Sequence, residues 1–456
     1  MVDAGLNVIR LNTSHGDLKD HERTVALARD VARERDTPLG VLMDLGGPKL
    51  RTGPTAGGHP INMVRGRLIR LTPETVEGDE DRLTIDYPSL LQDVRPGDPV
   101  LLDDGNIELR VERHVDKALE CRIVFGGTLT PNKGVAFPAS NLSTPSLTPR
   151  DLDAIAAGVR AQVDLFALSF VRSPEDLEQA RAAINEAGAD VPVIAKIERR
   201  QAIENLDEIV AESDGVMVAR GDLGVDLPPE EVPVQQRRII ASAARNKVPV
   251  ITATQMLESM VDSPRPTRAE ASDVANAVWD LSDAVMLSAE TAIGKYPVQA
   301  VAMMDRIIRR AEGNAPAGGY VAAPHNPGDH SYVIALASRT IVDVDPNLRA
   351  IVCFTNSGYS AFLMSKAYPG VPIYALSSDT HVLCRLSVAR SVIPVPCQPV
   401  HNVEDLFEAV DEALLARGHV RPGHELLITG SLPVDLAGTT NFLKLHRVGE
   451  TEAGWT

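Results

Sequence analysis

Val193-Ile-Ala-Lys196-Ile-Glu198 and, further on, Gly215-Val-Met-Val-Ala-Arg220-Gly221-Asp222-Leu223-Gly224 are the stretches whose reading decides the fold. Each opens as an apolar run rich in β-branched residues, without polar alternation, as in a strand buried on both faces of a parallel sheet. Each then breaks into charged residues at its C-terminal end, where parallel α/β folds carry their chemistry. Lys196, Glu198 and Asp222 delivered there fit a hard divalent cation with a cationic partner for phosphate. A plainer reading fits the same spacing: Glu198 and Asp222 as helix-start acids, and Lys196 as an ordinary ion-pair residue.

Working outward, similar apolar runs fall at residues 7–12, 39–45, 165–170, 191–197, 214–219, 248–254 and 283–288, most followed by stretches of helical period such as 173–186 and 300–312. Thr148-Pro149 and Ser173-Pro174, each followed by an acid in the first turn, read as capped helix starts. Seven strand–helix units predict a (β/α)8 TIM barrel whose eighth strand is not visible. The pattern stops between about residues 53 and 146, where short alternating segments (68–71, 99–102, 108–111, 121–124) predict a small inserted β domain. Residues 314–326, rich in Ala, Pro and Gly, read as a linker. Beyond it, strand-like 350–354, 372–375 and 426–429 alternate with helical stretches. The expected division is therefore 1–53 with 146–313, an insertion at 54–145, and a C-terminal α/β domain at 314–456.

Composition excludes several classes. The chain has 456 residues, 44% apolar and 23% charged, with 45 basic against 62 acidic residues and a formal charge of −17. That charge argues against nucleic acid or an anionic membrane as the main partner. No apolar run reaches the ~18 residues of a membrane span, and no signal peptide opens the sequence. Cys121, Cys353, Cys384 and Cys397 form no C-x-x-C pair and read as reduced thiols of a cytoplasmic protein.

The order of barrel, β insertion and α/β domain, together with the motifs, resembles the pyruvate kinases. The resemblance is carried by Asn7-Val-Ile-Arg10-Leu-Asn12-Thr-Ser14-His15-Gly16, Asp44-Leu45-Gly-Gly-Pro-Lys49-Leu-Arg51-Thr-Gly53, Lys196-Ile-Glu198, Met217 to Gly224, Ala253-Thr254-Gln-Met-Leu-Glu-Ser-Met260, Pro264 to Glu270, and Met286-Leu-Ser288-Ala-Glu290-Thr-Ala292. It implies phosphoryl transfer between phosphoenolpyruvate and ADP, giving pyruvate and ATP. Glu198 and Asp222 are then the Mg²⁺ (or Mn²⁺) ligands. Lys196 and Arg10 are the cations at the transferring phosphoryl group. The amides of Gly221 and Asp222 cradle the substrate carboxylate. Thr254 lies on the face from which the enolate is protonated, through a water relay; taken alone it reads as a β-branched strand residue. His15 and Arg51 are implied nucleotide contacts, with helix capping as the alternative for His15. Ser169, Ser288 and Glu290 read as supports of the site or as structural residues, and Asp164, Asp214 and Asp283 as turn residues on the opposite barrel face.

Three features depart from the family pattern. Its usual first strand and helix are missing upstream of residue 7, which leaves either a late start or another element closing the barrel. Asn12, Ser14, Asp44 and Leu45 match the monovalent-cation site, but Lys49 replaces the glutamate of potassium-dependent members and Leu45 a threonine. Members with this lysine are generally potassium-independent, so K⁺ is not required if its ammonium replaces the ion; a surface lysine is the alternative. Thr355-Asn356-Ser357-Gly358-Tyr-Ser360 matches the loop that takes an effector phosphate, from a sugar phosphate or a nucleotide, and is otherwise a capped helix start. The family is usually homotetrameric. Two other functions remain open at this point, a divalent-metal pyruvate aldolase and a non-catalytic metabolite sensor.

Overall fold

A computed structural model describes residues 1–314, 329–400, 402–433 and 440–450. The seven expected runs form one parallel sheet in chain order: Val8–Asn12, Gly40–Asp44, Leu165–Leu168, Val193–Ile197, Gly215–Ala219, Val250–Ala253 and Ala284–Val285. Among the described residues no eighth strand joins the two edges. The strands are shorter than the apolar runs because the flanking residues leave the ladder to make turns. The last is cut to two residues, since the chain turns into the helix Ala289–Ala292 soon after.

Side chains alternate in and out along each strand. Val41, Met43, Phe166, Leu168, Ala195, Val216 and Val218 pack outward against the crossover helices. Leu42, Leu165, Ala167, Ile194, Met217 and Ile251 point inward and meet one another across five strands, which a flat sheet could not allow. The sheet is therefore curled. Val388 and Phe362 of the C-terminal region join this inner cluster. The contact is close enough that a Cβ on Gly40 would stand 2.8 Å from the Cys384 carbonyl oxygen.

The aspartates that precede three strands do more than turn the chain. Asp164, Asp214 and Asp283 accept the N–H of Val41, Val193 and Val250, at 2.7, 2.8 and 2.8 Å, so each ties its own strand to the preceding neighbour. A cation answers each carboxylate: Arg29 for Asp164, Arg181 for Asp214, Lys366 for Asp283. The Lys366–Asp283 pair is fully buried and links the C-terminal sheet region to the barrel sheet.

Thr148 caps the helix Pro149–Arg160 in a reciprocal box with Asp151. Ser173, expected to cap Pro174–Glu186, makes no side-chain cap bond. Its hydroxyl bonds the Glu175 carboxylate instead, and holds that carboxyl below its usual range. The helix expected at 300–312 begins a turn earlier than its periodicity suggests, at Pro297, where the proline's missing N–H is harmless.

Between Gly40–Asp44 and Leu165–Leu168 the chain builds a six-stranded sheet in the order Val135–Ala136, Pro99–Leu102, Ile107–Val115, Ala118–Phe125, Leu68–Thr72 and Arg82–Thr84, with a separate pair Ile61–Met63 and Gly127–Leu129. It has its own core around Ile69, Leu71, Val100, Leu109 and Leu119. The C-terminal sheet runs Val392–Pro396, Ile373–Ser377, Leu348–Phe354, Glu425–Gly430 and Phe442–Arg447, the last strand antiparallel, with apolar clusters on both faces. The expected linker lies outside the described residues from 315 onward. No helix among the described residues is long and apolar enough to cross a membrane.

Candidate active site

The first four barrel strands bring Arg10, Asp44, Ser169, Lys196 and Glu198 into one buried polar network toward their C-terminal ends. Arg10 reaches Asp44 Oδ2 from both Nε (2.7 Å) and Nη2 (2.5 Å). Lys196 Nζ touches Asp44 Oδ1 at 3.1 Å, Glu198 Oε1 at 2.8 Å and Ser169 Oγ at 2.6 Å. Glu198 Oε2 accepts the Phe170 N–H at 2.8 Å. Asp44 and Glu198 are each only 1% exposed and Lys196 7%. Two cations against two anions make this burial tolerable.

The electrostatics separate the two acids. Burial alone would raise Asp44, but Lys196 and Arg10 outweigh it and hold its carboxyl below the usual range. Burial would likewise lower Lys196, yet Asp44 and Glu198 keep its ammonium above its ordinary value. For Glu198 burial wins: reinforced by the nearby Asp222 carboxylate, it pushes the carboxyl up against the pull of Lys196. A carboxylate in that position gains from a further cation.

That is the fit expected of a hard metal ion. Glu198 Oε1 is buried and, beyond the Lys196 ammonium, accepts no hydrogen bond. Asp222, half-buried in the first turn of the helix Arg220–Asp226, faces it closely enough to perturb it. No group of three or more His, Cys, Asp or Glu side chains suited to a metal occurs among the described residues. Two carboxylates leave the remaining positions to water and substrate oxygens, as Mg²⁺ usually has it.

Thr254 follows the strand Val250–Ala253 in a left-handed conformation, φ +70°, and Gln255 follows at +53°. Its Oγ1 donates to the Ala253 carbonyl at 2.6 Å and accepts the Gly221 N–H at 2.8 Å. A substrate oxygen using the Gly221 amide would share it with, or displace, that hydroxyl. Glu290, fully buried, accepts the N–H groups of Leu257 and Ser288 at 3.0 and 2.7 Å, so it braces the loop after Thr254.

Other expected residues sit further out. His15 is exposed, and Asp17 rather than His15 caps the helix Leu18–Glu34, its side chain accepting the Lys19 N–H. Arg51 donates to the Asn132 carbonyl at 2.9 Å, which ties the strand exit to the insertion. Of the monovalent-cation set, Asn12 Oδ1 already takes the Ser14 N–H at 3.1 Å, and both Asp44 oxygens carry cations. The Leu45 side chain is buried in the core, so only its carbonyl could serve an ion. Lys49 is exposed; its Cε lies 4.0 Å from where a Cβ on Gly134 would stand. In the C-terminal sheet region, Gly358 (φ +86°) donates its N–H to Thr355 Oγ1 at 2.9 Å, and Ser360 Oγ meets Thr440 Oγ1 at 2.6 Å beside the start of the helix Tyr359–Lys366. Asn356 and Ser357 lie in the same turn.

Sequence reasoning passed over Phe170 and Arg220. Phe170 acts through its backbone, which leaves no side-chain signal. Arg220 had one, an arginine directly at the end of an apolar strand.

Comparison with known proteins identifies the family. The family model described as "Pyruvate kinase, barrel domain" matches residues 1–301, and "Pyruvate kinase, alpha/beta domain" matches residues 332–446. The chain is 41% identical over 450 residues to a protein named pyruvate kinase from Corynebacterium glutamicum, covering 99% of this chain and 94% of that one. It is 40% identical over 452 residues to one from Mycobacterium tuberculosis, covering 99% and 95%. It is 38% identical over 448 residues to one from Thermotoga maritima, covering 98% and 95%. With both halves matched in order and the identity sustained along the chain, this protein belongs to the pyruvate kinase family.

Proposed function

We propose that Arg10, Lys196, Glu198, Asp222 and Thr254 carry out the reaction of this family, in which the phosphoryl group of phosphoenolpyruvate passes to ADP and yields pyruvate and ATP. The observation that carries the proposal is the buried Arg10–Asp44–Lys196–Glu198 network with Asp222 beside it. Glu198 and Asp222 would hold Mg²⁺ or Mn²⁺, which would supply positive charge against the substrate's anionic oxygens. Lys196 and Arg10 present fixed cations to the phosphoryl oxygens as charge spreads over them. Asp44 keeps both cations in place, because its two oxygens bind one each. The amides of Gly221 and Asp222, opening a helix, receive the carboxylate. Thr254 lies on the face where the methylene carbon of the enolate takes up its proton through water. Paramagnetic titration with Mn²⁺ tests the ligand assignment directly: the native chain should show a tight site that Glu198→Gln weakens at least tenfold, and unchanged Mn²⁺ affinity would remove Glu198 from the metal.

The network also favours a kinase over an aldolase. Two cations flanking the carboxylate pair suit a phosphorylated substrate, for which an aldolase has no use. Residues 54–145 are proposed as the lid that excludes water over the phosphoryl donor, with His15 and Arg51 near the nucleotide. Residues 1–53 with 146–313 then form the catalytic domain, and 314–456 the regulatory one. There the turn Thr355 to Ser360 takes the phosphate of a sugar-phosphate or nucleotide effector. A cytoplasmic homotetramer is the proposed assembly; sedimentation that gives only monomer at micromolar concentration would exclude it.

Potassium independence is proposed from Lys49. Its ammonium, on a flexible four-carbon stem five residues after Asp44 in the chain, would supply the charge a bound K⁺ would bring. Activity in tetramethylammonium chloride should equal that in KCl at matched ionic strength. Lys49→Glu changes local charge by two units and should make the enzyme K⁺-dependent, with substrate affinity falling when K⁺ is withdrawn. Strong K⁺ stimulation of the unmodified protein would show that Lys49 has no such part.

A further inference from the structure

Two adjacent non-glycine residues in left-handed backbone, Thr254 (φ +70°) and Gln255 (φ +53°), follow the sixth barrel strand. For a β-branched residue this conformation is a real outlier. It persists only where the surroundings over-determine it, and such places cluster at functional sites. Glycine here would remove the strain, so the conformation must be held from outside.

Arg220 supplies the hold. Its Nη2 donates to the Thr254 carbonyl at 2.6 Å and its Nε to the Ala253 carbonyl at 3.2 Å. Nη1 donates to Asp273 Oδ1 at 2.8 Å, on the helix Arg268–Trp279, and lies 3.4 Å from Gln236 Oε1, on the helix Val232–Asn246. The guanidinium is thus fixed at one end by two barrel helices and grips two successive carbonyls with the other. The next residue, Gly221, holds the Thr254 hydroxyl from the other side. Both peptide carbonyls and the hydroxyl of Thr254 are therefore oriented by the segment that also carries Asp222. Only a planar fork of donors can hold carbonyls and carboxylate at once; a lysine ammonium on the same stem cannot.

We propose that Arg220 is a positioning residue for enolate protonation: it holds Thr254 in its strained conformation and so fixes where the hydroxyl stands. The inference rests on the role given to Thr254 above, and it assigns Arg220 no contact with substrate.

A double-mutant cycle on the full-length enzyme tests it, read as deuterium uptake from D₂O into the methyl group of pyruvate with Mg²⁺ and ATP present. Thr254→Val should slow exchange by ~10²–10⁴-fold. Arg220→Lys should slow it by about tenfold in the native background, and by less than about threefold once Thr254→Val is present, because the two changes act on one group. KM for ADP should stay within about twofold in Arg220→Lys, which a general loss of structure would not allow. Equal slowing by Arg220→Lys in both backgrounds would overturn the inference while leaving Thr254 its role. Normal exchange in Thr254→Val would overturn the role of Thr254 and the inference together. If Arg220→Lys does not fold, Asp273→Asn, which frees the guanidinium at its far end, goes through the same cycle, with the same pattern expected at smaller amplitude and the same additivity counting against it.

Discussion

Lys196→Met should lower kcat by roughly 10³–10⁵-fold, the scale on which a single cation at a transferring phosphoryl group acts. The loss falls on kcat more than on the KM of phosphoenolpyruvate, since Arg10 still binds the ground-state phosphate. Stability falls as well. Lys196 pairs with two carboxylates that are each 1% exposed, and removing one partner of a buried network costs about 3–5 kcal/mol. The pH dependence of that loss has a definite sign. Burial already pushes Glu198 above its ordinary value, and the loss of Lys196 pushes it further. A carboxyl whose folded pKa exceeds its unfolded one binds more protons when folded, so the variant's deficit grows as pH rises through that folded value and shrinks below it. Urea midpoints for both proteins across the acidic range, with initial rates at saturating Mg²⁺, check this. A variant that turns over within tenfold of the parent would show that the lysine is structural only.

Glu198→Gln should remove activity almost as completely, by about 10³-fold, for a different reason. The amide keeps an oxygen for the Phe170 N–H but loses the charge that the metal and Lys196 both use. Fold stability should fall less than in Lys196→Met, because Lys196 keeps Asp44 as a partner and the charge removed is one whose ionisation burial already opposes. Lys196→Met should therefore have the lower melting temperature of the two, while both abolish turnover. Partial recovery at high Mn²⁺ is expected of Glu198→Gln and not of Lys196→Met. A Glu198→Gln enzyme with a near-native rate at limiting Mg²⁺ would contradict the metal assignment.

The fold was legible where burial on both faces left unbroken apolar runs, and the strand ends carrying Lys196, Glu198 and Asp222 were legible for the same reason. The insertion showed itself because its strands pack one face on their own core and so alternate. What stayed hidden were contacts between distant residues. Asp164 ties itself to Val41 and Lys366 to Asp283, and no local pattern predicts such pairings. Ser173 looked like a cap, but capping depends on where a hydroxyl rotates, and a neighbouring glutamate took it. The conformation of Thr254 was equally silent, since its sequence context reads as plain strand. Glu290 and Arg220 lie within the motifs that carry the family resemblance, yet what each holds became visible only in three dimensions.

The central claim is that this buried cluster drives phosphoryl transfer from phosphoenolpyruvate to ADP under control of a divalent cation. Pyruvate and ATP should be followed together from phosphoenolpyruvate, with ADP and Mg²⁺ each supplied and withheld. The account predicts equal amounts of the two products when both are present, and neither product when ADP or Mg²⁺ is omitted. Pyruvate released at an undiminished rate without ADP, or formed without matching ATP, would contradict it.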